Sequence, residues 1–141
     1  MSQAQQPSED QEQRGGAKVI LLVEDDPSNA EMLNLLLQSE TPYQVLNFAY
    51  GTEVLQRLDE IKAIRPHLFL FDYHLPGMTA LELHDQLHQV KEFADAPTLV
   101  VTASMLNDEQ VKNELARRHI HLLQKPFEID EFLRIVEQLM A

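Results

Sequence analysis

Short runs of consecutive apolar residues alternate along this chain with longer stretches in which apolar residues recur at three- and four-residue spacing. The runs are KVILLV from Lys18, YQVLNFA from Tyr43, HLFLFD from His67, TLVVTA from Thr98 and IHLLQ from Ile120. Most are nearly continuous in apolar character rather than alternating, the pattern of parallel strands covered on both faces. Between them, Val54, Leu58 and Ile61, then Leu83, Leu87 and Val90, then Ile129, Phe132, Leu133 and Val136 mark amphipathic helices, the last predicted to bury one stripe. A segment with Val111, Leu115 and Ala116 is the most weakly apolar, and its helix is expected to be the least firmly packed. Five strands alternating with five helices predict an α/β fold, an open, doubly wound parallel sheet, because each parallel crossover needs a helix to return the chain.

In such folds ligands gather outside the carboxyl ends of the strands, so the residues there carry the chemistry. The first run ends in Glu24, Asp25 and Asp26, the third in Asp72, the fourth in Thr102, and Lys125 follows the fifth. Two carboxylates 4 Å apart repel by roughly 4 kcal/mol at the effective dielectric near a protein surface, so the acidic cluster calls for a partner. Asp26 opens the stretch DPSN, an N-cap carboxylate followed by proline at the first helical position, and is assigned to capping, with a secondary role beside the metal left open. Glu24 and Asp25 remain, with Asp72, as candidate ligands for a hard cation. Magnesium suits them best, since it takes oxygen donors and is held by one or two carboxylates plus a phosphate.

Composition narrows the partners. The 141 residues are 44% apolar, enough for the core of one domain. With 23 acidic against 11 basic residues the net charge is −12, which opposes docking on nucleic acid or an anionic membrane. Cysteine is absent, which excludes disulfides, thiolate metal sites and cysteine nucleophiles. Residues 1–16 are polar and aperiodic and are expected to form a disordered tail, leaving 17–141 as the domain. With neither a secretory signal nor a membrane span in the pattern, a soluble, cytoplasmic protein is expected.

Glu24-Asp25, FDYHLPG holding Asp72, VVTAS holding Thr102 and QKPF holding Lys125, in that order, resemble the receiver domain of two-component response regulators over about Lys18 to Ala141. The resemblance implies a flavodoxin-like strand order of 2-1-3-4-5. It implies phosphoryl transfer from a phosphohistidine, on a sensor histidine kinase or a histidine phosphotransfer protein, to the carboxylate of Asp72. Glu24, Asp25, Asp72 and the backbone carbonyl of His74 would hold Mg²⁺, and Thr102 and Lys125 would contact the phosphoryl oxygens. Such a domain is a phosphoacceptor in signalling rather than an enzyme acting on a separate substrate. The resemblance also implies that side chains at His74 and Ser104 modulate loss of the phosphoryl group, and it suggests a cis Lys125–Pro126 bond. Three positions depart from the family pattern. Leu122 replaces the aromatic residue of the switch, Arg118-His119 replaces a Gly-Ala pair, and Ala80 replaces a glycine.

Two histidine motifs stand outside this reading. HDQLH, His84 to His88, has Asp where a zinc-protease helix carries its general-base Glu, and a solvated helix face is expected. HIH, His119 to His121, reads as a polar pair on an edge strand. The function expected is a stand-alone receiver acting through protein contact or phosphorelay, with a phosphorylation-dependent homodimer left open. The alternatives are a phosphorylation-independent scaffold of the same fold and an aspartate-nucleophile phosphohydrolase. The hydrolase alternative fits less well, since haloacid-dehalogenase-like enzymes carry Asp-x-Asp after the first strand and this chain has Asp-x-His after the third.

Overall fold

The five apolar runs become the five strands of one parallel sheet. A computed structural model describes residues 17–103 and 108–141. The expected tail and Ser104 lie outside the described residues. The strands are β1 (Val19–Val23), β2 (Gln44–Phe48), β3 (Leu68–Phe71), β4 (Thr98–Thr102) and β5 (His121–Gln124). They run in the order β2-β1-β3-β4-β5, with every neighbouring pair parallel. The doubly wound 2-1-3-4-5 fold expected from the sequence is the fold observed.

Strand side chains alternate between faces, and here both faces are apolar. Leu21, Val23, Phe69, Phe71 and Val100 point to one layer with Val54, Ile61, Leu83, Leu87 and Leu115. Ile20, Leu22, Leu68, Leu70, Leu99 and Val101 point to the other with Leu33, Leu37, Phe132, Val136 and Met140. This double coverage is why the runs are continuous rather than alternating. Each Leu or Ile fully removed from water contributes roughly 2 kcal/mol, so the central strands dominate the stabilisation.

Six α-helices are present among the described residues, five between strands and one after the last: α1 (Pro27–Glu40), α2 (Gly51–Gln56), α3 (Leu58–Ile64), α4 (Ala80–His88), α5 (Glu109–Arg117) and α6 (Ile129–Met140). Five were expected. The extra one arises because the second helix breaks at Arg57, whose N–H bonds to Val54 O three residues back (3.1 Å) and whose own carbonyl accepts from Ile61 N–H (3.1 Å). A tightened turn thus ends α2 and a new helix starts at once. The expected stripe on α6 also shifts. Phe132, Val136 and Met140 are buried, but Ile129 is 55% exposed. Ile129 lies on the same side as Phe132, and its exposure follows from its place as the first residue of the helix. On α5 only Leu115 is buried, Val111 is half-buried and Ala116 is exposed, so Ala116 is not the core residue expected.

After β3 the chain makes a short hairpin, pairing His74–Leu75 with Met78–Thr79. Pro76 and Gly77 form its turn, with Gly77 at φ +79, a left-handed value that favours glycine. α4 starts directly from this hairpin with a capping box. Thr79 Oγ1 accepts from the Glu82 N–H (3.3 Å) and the Glu82 carboxylate accepts from the Thr79 N–H (2.8 Å).

Candidate functional site

The parallel register of the central strands assembles the site. Val23 of β1 is level with Phe71 of β3, so the next residues, Glu24 and Asp72, emerge side by side at the carboxyl edge of the sheet. Backbone bonds fix both: the Glu24 N–H donates to Phe48 O (3.1 Å) and the Asp72 N–H to Val23 O (3.2 Å). On the other flank, Thr102 of β4 is level with Gln124 of β5, and the Lys125 N–H donates to Thr102 O (2.9 Å). All the predicted side chains therefore leave from one edge.

One carboxylate oxygen each from Glu24, Asp25 and Asp72 lies within 4.8 Å of the other two. Glu24 is buried, Asp72 half-buried and Asp25 exposed. Glu24 Oε2 accepts from the Asp26 N–H (3.1 Å), which orients the carboxylate, and Glu24 Oε1 is 3.9 Å from Lys125 Nζ. Burial raises the Glu24 carboxyl above the usual carboxylate range, the Asp26 N–H bond lowers it, and the neighbouring Asp72 raises it further. Asp26 itself is the N-cap of α1, accepting from the Ser28 N–H (3.2 Å), with Pro27 at the first helical position. Asp25 thus shares the cluster with Glu24 and Asp72, while Asp26 caps the helix.

Two groups here are unusual. Asp72 Oδ1 and Lys125 Nζ are buried without a hydrogen-bond partner. An unsatisfied buried polar atom costs about 1–3 kcal/mol, more when charged, so such atoms point to a ligand. The donor set is all carboxylate oxygen, the chemistry of a hard divalent cation, and the residues fit Mg²⁺.

The family model of the response regulator receiver domain matches residues 20–137. The chain belongs to this family. Its receiver domain is a two-component signalling domain. It is 25% identical over 126 residues to the polar-differentiation response regulator DivK of Brucella anthropi, covering 88% of this chain and 97% of that protein. It is 27% identical over 124 residues to hybrid signal transduction histidine kinase D of Dictyostelium discoideum, covering 87% of this chain. The chain spans between 8% and 34% of the length of three of the curated relatives it matches. Among solved structures, the receiver domain of the sensor histidine kinase PA1611 of Pseudomonas aeruginosa superimposes with a TM-score of 0.73 at 25% identity. That comparison covers 89% of this chain and 98% of that one, and the matched structure has a magnesium ion coordinated in its active site cleft.

Around the receiver site, His74 exposes its imidazole and meets the Tyr73 ring edge to face, centroids 4.9 Å apart. Leu122, at the position of the family's aromatic switch, is half-buried and packs against the layer of α4 and α5. The Lys125–Pro126 bond is cis. No helix among the described residues is long and apolar enough to cross a membrane.

The reading of HDQLH as a solvated face is overturned. His84 is 7% exposed, its Nδ1 is 2.9 Å from Thr98 Oγ1, and its ring stacks on His88. Thr98 lies 14 residues away across a loop, so no local spacing announces this pairing. His121 does lie exposed on edge strand β5, while His119 precedes the strand with a left-handed φ of +59. The two motifs, set aside separately, meet in one cavity lined by His84, His88, His119 and His121. Among the described residues, Glu24, Asp25 and Asp72 are the one group that brings three potential metal donors together. Sequence reasoning also missed the pair of Arg118 with Asp85, which joins α5 to α4.

Proposed function

We propose that this receiver domain, residues 17–141, accepts a phosphoryl group onto Asp72 from a phosphohistidine of a sensor histidine kinase or a histidine phosphotransfer protein in the cytoplasm. The observation that carries the proposal is an Asp72 oxygen and a Lys125 ammonium, each buried without a hydrogen bond, at the edge where Glu24, Asp25 and Asp72 bring their carboxylates together. Asp72 Oδ attacks phosphorus as the P–N bond to the donor imidazole breaks, and the imidazole nitrogen leaves with the bond's electron pair and takes up a proton. Lys125 stands ready to neutralise charge on the transferred group, and the Thr102 hydroxyl, at the end of β4, to donate to one of its oxygens. Glu24, Asp25, Asp72 and the His74 backbone carbonyl would hold Mg²⁺, which supplies charge neutralisation at the phosphoryl oxygens when bound. Phosphoryl transfer needs positioning and charge compensation more than acid–base machinery, and these residues offer both.

The phosphorylated domain then acts through protein contact or passes the group onward. The magnesium-bearing PA1611 receiver and the receiver-like match within a hybrid kinase support this reading. The test is intact mass against time in Mg²⁺ and phosphoramidate, for wild type and Asp72→Asn. Wild type gains one phosphate and loses it slowly, while Asp72→Asn gains none. Continuous turnover of the donor would indicate a hydrolase, and no gain by wild type would indicate a scaffold. Either result overturns the proposal.

A further inference from the structure

With Glu24, Asp25, Asp72 and the His74 carbonyl taken as the Mg²⁺ site proposed above, we propose that Gly51 and Met78 act as positioning residues for it. Their contact braces the hairpin after β3 against α2, and so sets where Asp72 and His74 stand relative to Glu24. Gly51 is buried as the first residue of α2, and its φ is not left-handed, so the backbone there makes no demand for glycine. Space does make that demand. A side-chain carbon added at Gly51 would lie 2.6 Å from Met78 Sδ, 3.4 Å from Leu83 Cδ2 and 3.5 Å from Met78 Cγ. Non-bonded carbons rest at about 3.5–4.0 Å, so the first of these distances is an overlap of roughly 1 Å. The Met78 sulfur thus lies against the Gly51 backbone, and the fully buried Leu83 of α4 closes the other side.

The hairpin needs support from outside itself. Its strands pair only His74 with Thr79 and Leu75 with Met78, and an isolated hairpin is marginally stable at best. At its base the Ala80 N–H bonds to Tyr73 O (2.9 Å), and on its side Met78 meets α2. The stretch of chain that delivers Gly51 also fixes Glu24. Phe48 O accepts from the Glu24 N–H (3.1 Å), and Gly51 follows three residues later. Residues 48–51 therefore span the two donor segments, held to Glu24 at one end and to Met78 at the other. A methyl group at Gly51 forces one of two changes. Either the Met78 sulfur swings away and the support is lost, or the hairpin, with His74 in its first strand and Asp72 two residues earlier, backs away from Glu24. Residues that orient metal donors from outside typically change metal affinity by about 10–100-fold when replaced.

The test is Mg²⁺ affinity by calorimetric titration, with stability by urea unfolding, on the full chain as wild type, Gly51→Ala, Met78→Ala and the double variant. Gly51→Ala is expected to weaken Mg²⁺ binding about tenfold, and Met78→Ala, which removes the support without a clash, about threefold. The double variant should stay at about threefold rather than the roughly thirtyfold of independent effects, because without the sulfur the added methyl group meets only Leu83. A Gly51→Ala affinity within about twofold of wild type, or a double variant weakened roughly thirtyfold, would overturn the brace whatever happens to stability. Should Gly51→Ala not fold, Met78→Ala decides: binding about threefold weaker supports the brace, and unchanged binding overturns it. Asp25→Ala tells the two readings apart. If it binds Mg²⁺ as wild type does, the cation site itself is wrong and the brace falls with it; if it binds weakly while Gly51→Ala and Met78→Ala do not, the brace alone is wrong.

Discussion

Asp25 and Asp26 are adjacent and chemically identical, yet their surroundings give them different tasks. Asp25 brings an oxygen to the cluster with Glu24 and Asp72, while Asp26 turns back to cap α1. Asp25→Ala is therefore expected to weaken Mg²⁺ binding at least about tenfold, a loss of 1.4 kcal/mol or more. Asp26→Ala should leave the Mg²⁺ affinity within about twofold and instead cost about 1 kcal/mol of stability through the lost cap. The bond that orients Glu24 comes from the Asp26 backbone N–H and survives the substitution. Calorimetric titration with Mg²⁺ and urea unfolding of both variants check the division, and equal losses of affinity would contradict it. These acids were legible in the sequence because each terminates an apolar run, where side chains must leave the sheet. His84 was not, because its burial depends on Thr98 and on Arg118, partners that only the assembled fold brings near.

At the scale of elements, strands were easier to read than helices. A strand here is defined by double burial, which writes itself as a continuous apolar run. A helix end is decided by capping and by where its packing stops, and these leave weaker marks. Nothing in Val54, Leu58 and Ile61 announces the break at Arg57, and the periodicity of α6 includes Ile129 although the covered surface does not. The start of α4 does carry a readable signal in Thr79-x-x-Glu82, the capping-box signature. Because its N-cap Thr79 lies only seven residues after Asp72 and pairs with His74 in the hairpin, this box also holds the hairpin at the mouth of the site. Thr79→Ala is expected to lower stability by about 1 kcal/mol, with Thr79→Ser retaining most of it. Urea unfolding with an unchanged m-value checks this, and an alanine variant as stable as wild type would remove the box from the account.

For the whole molecule, the parallel architecture has an electrostatic consequence. Every major helix runs antiparallel to its strands, so helix amino termini and strand carboxyl termini share one edge. Acidic residues favour helix amino termini, and Asp26, Glu82, Asp108, Glu109, Asp130 and Glu131 sit at such positions. They share that edge with the cluster of Glu24, Asp25 and Asp72, within a chain of net charge −12. Their repulsion is a cost of folding that a bound cation would relieve. Lys125 is the basic residue at the centre of this edge, and its ammonium is buried without a hydrogen bond. That arrangement suits a group carrying negative charge on Asp72. The most direct measurement of this claim is to phosphorylate the full chain in Mg²⁺, reduce the acyl phosphate with borohydride, and map the modified residue by peptide mass spectrometry. The account predicts homoserine at position 72 and nowhere else; reduction at Asp25 or Asp26, or none at all, would contradict it.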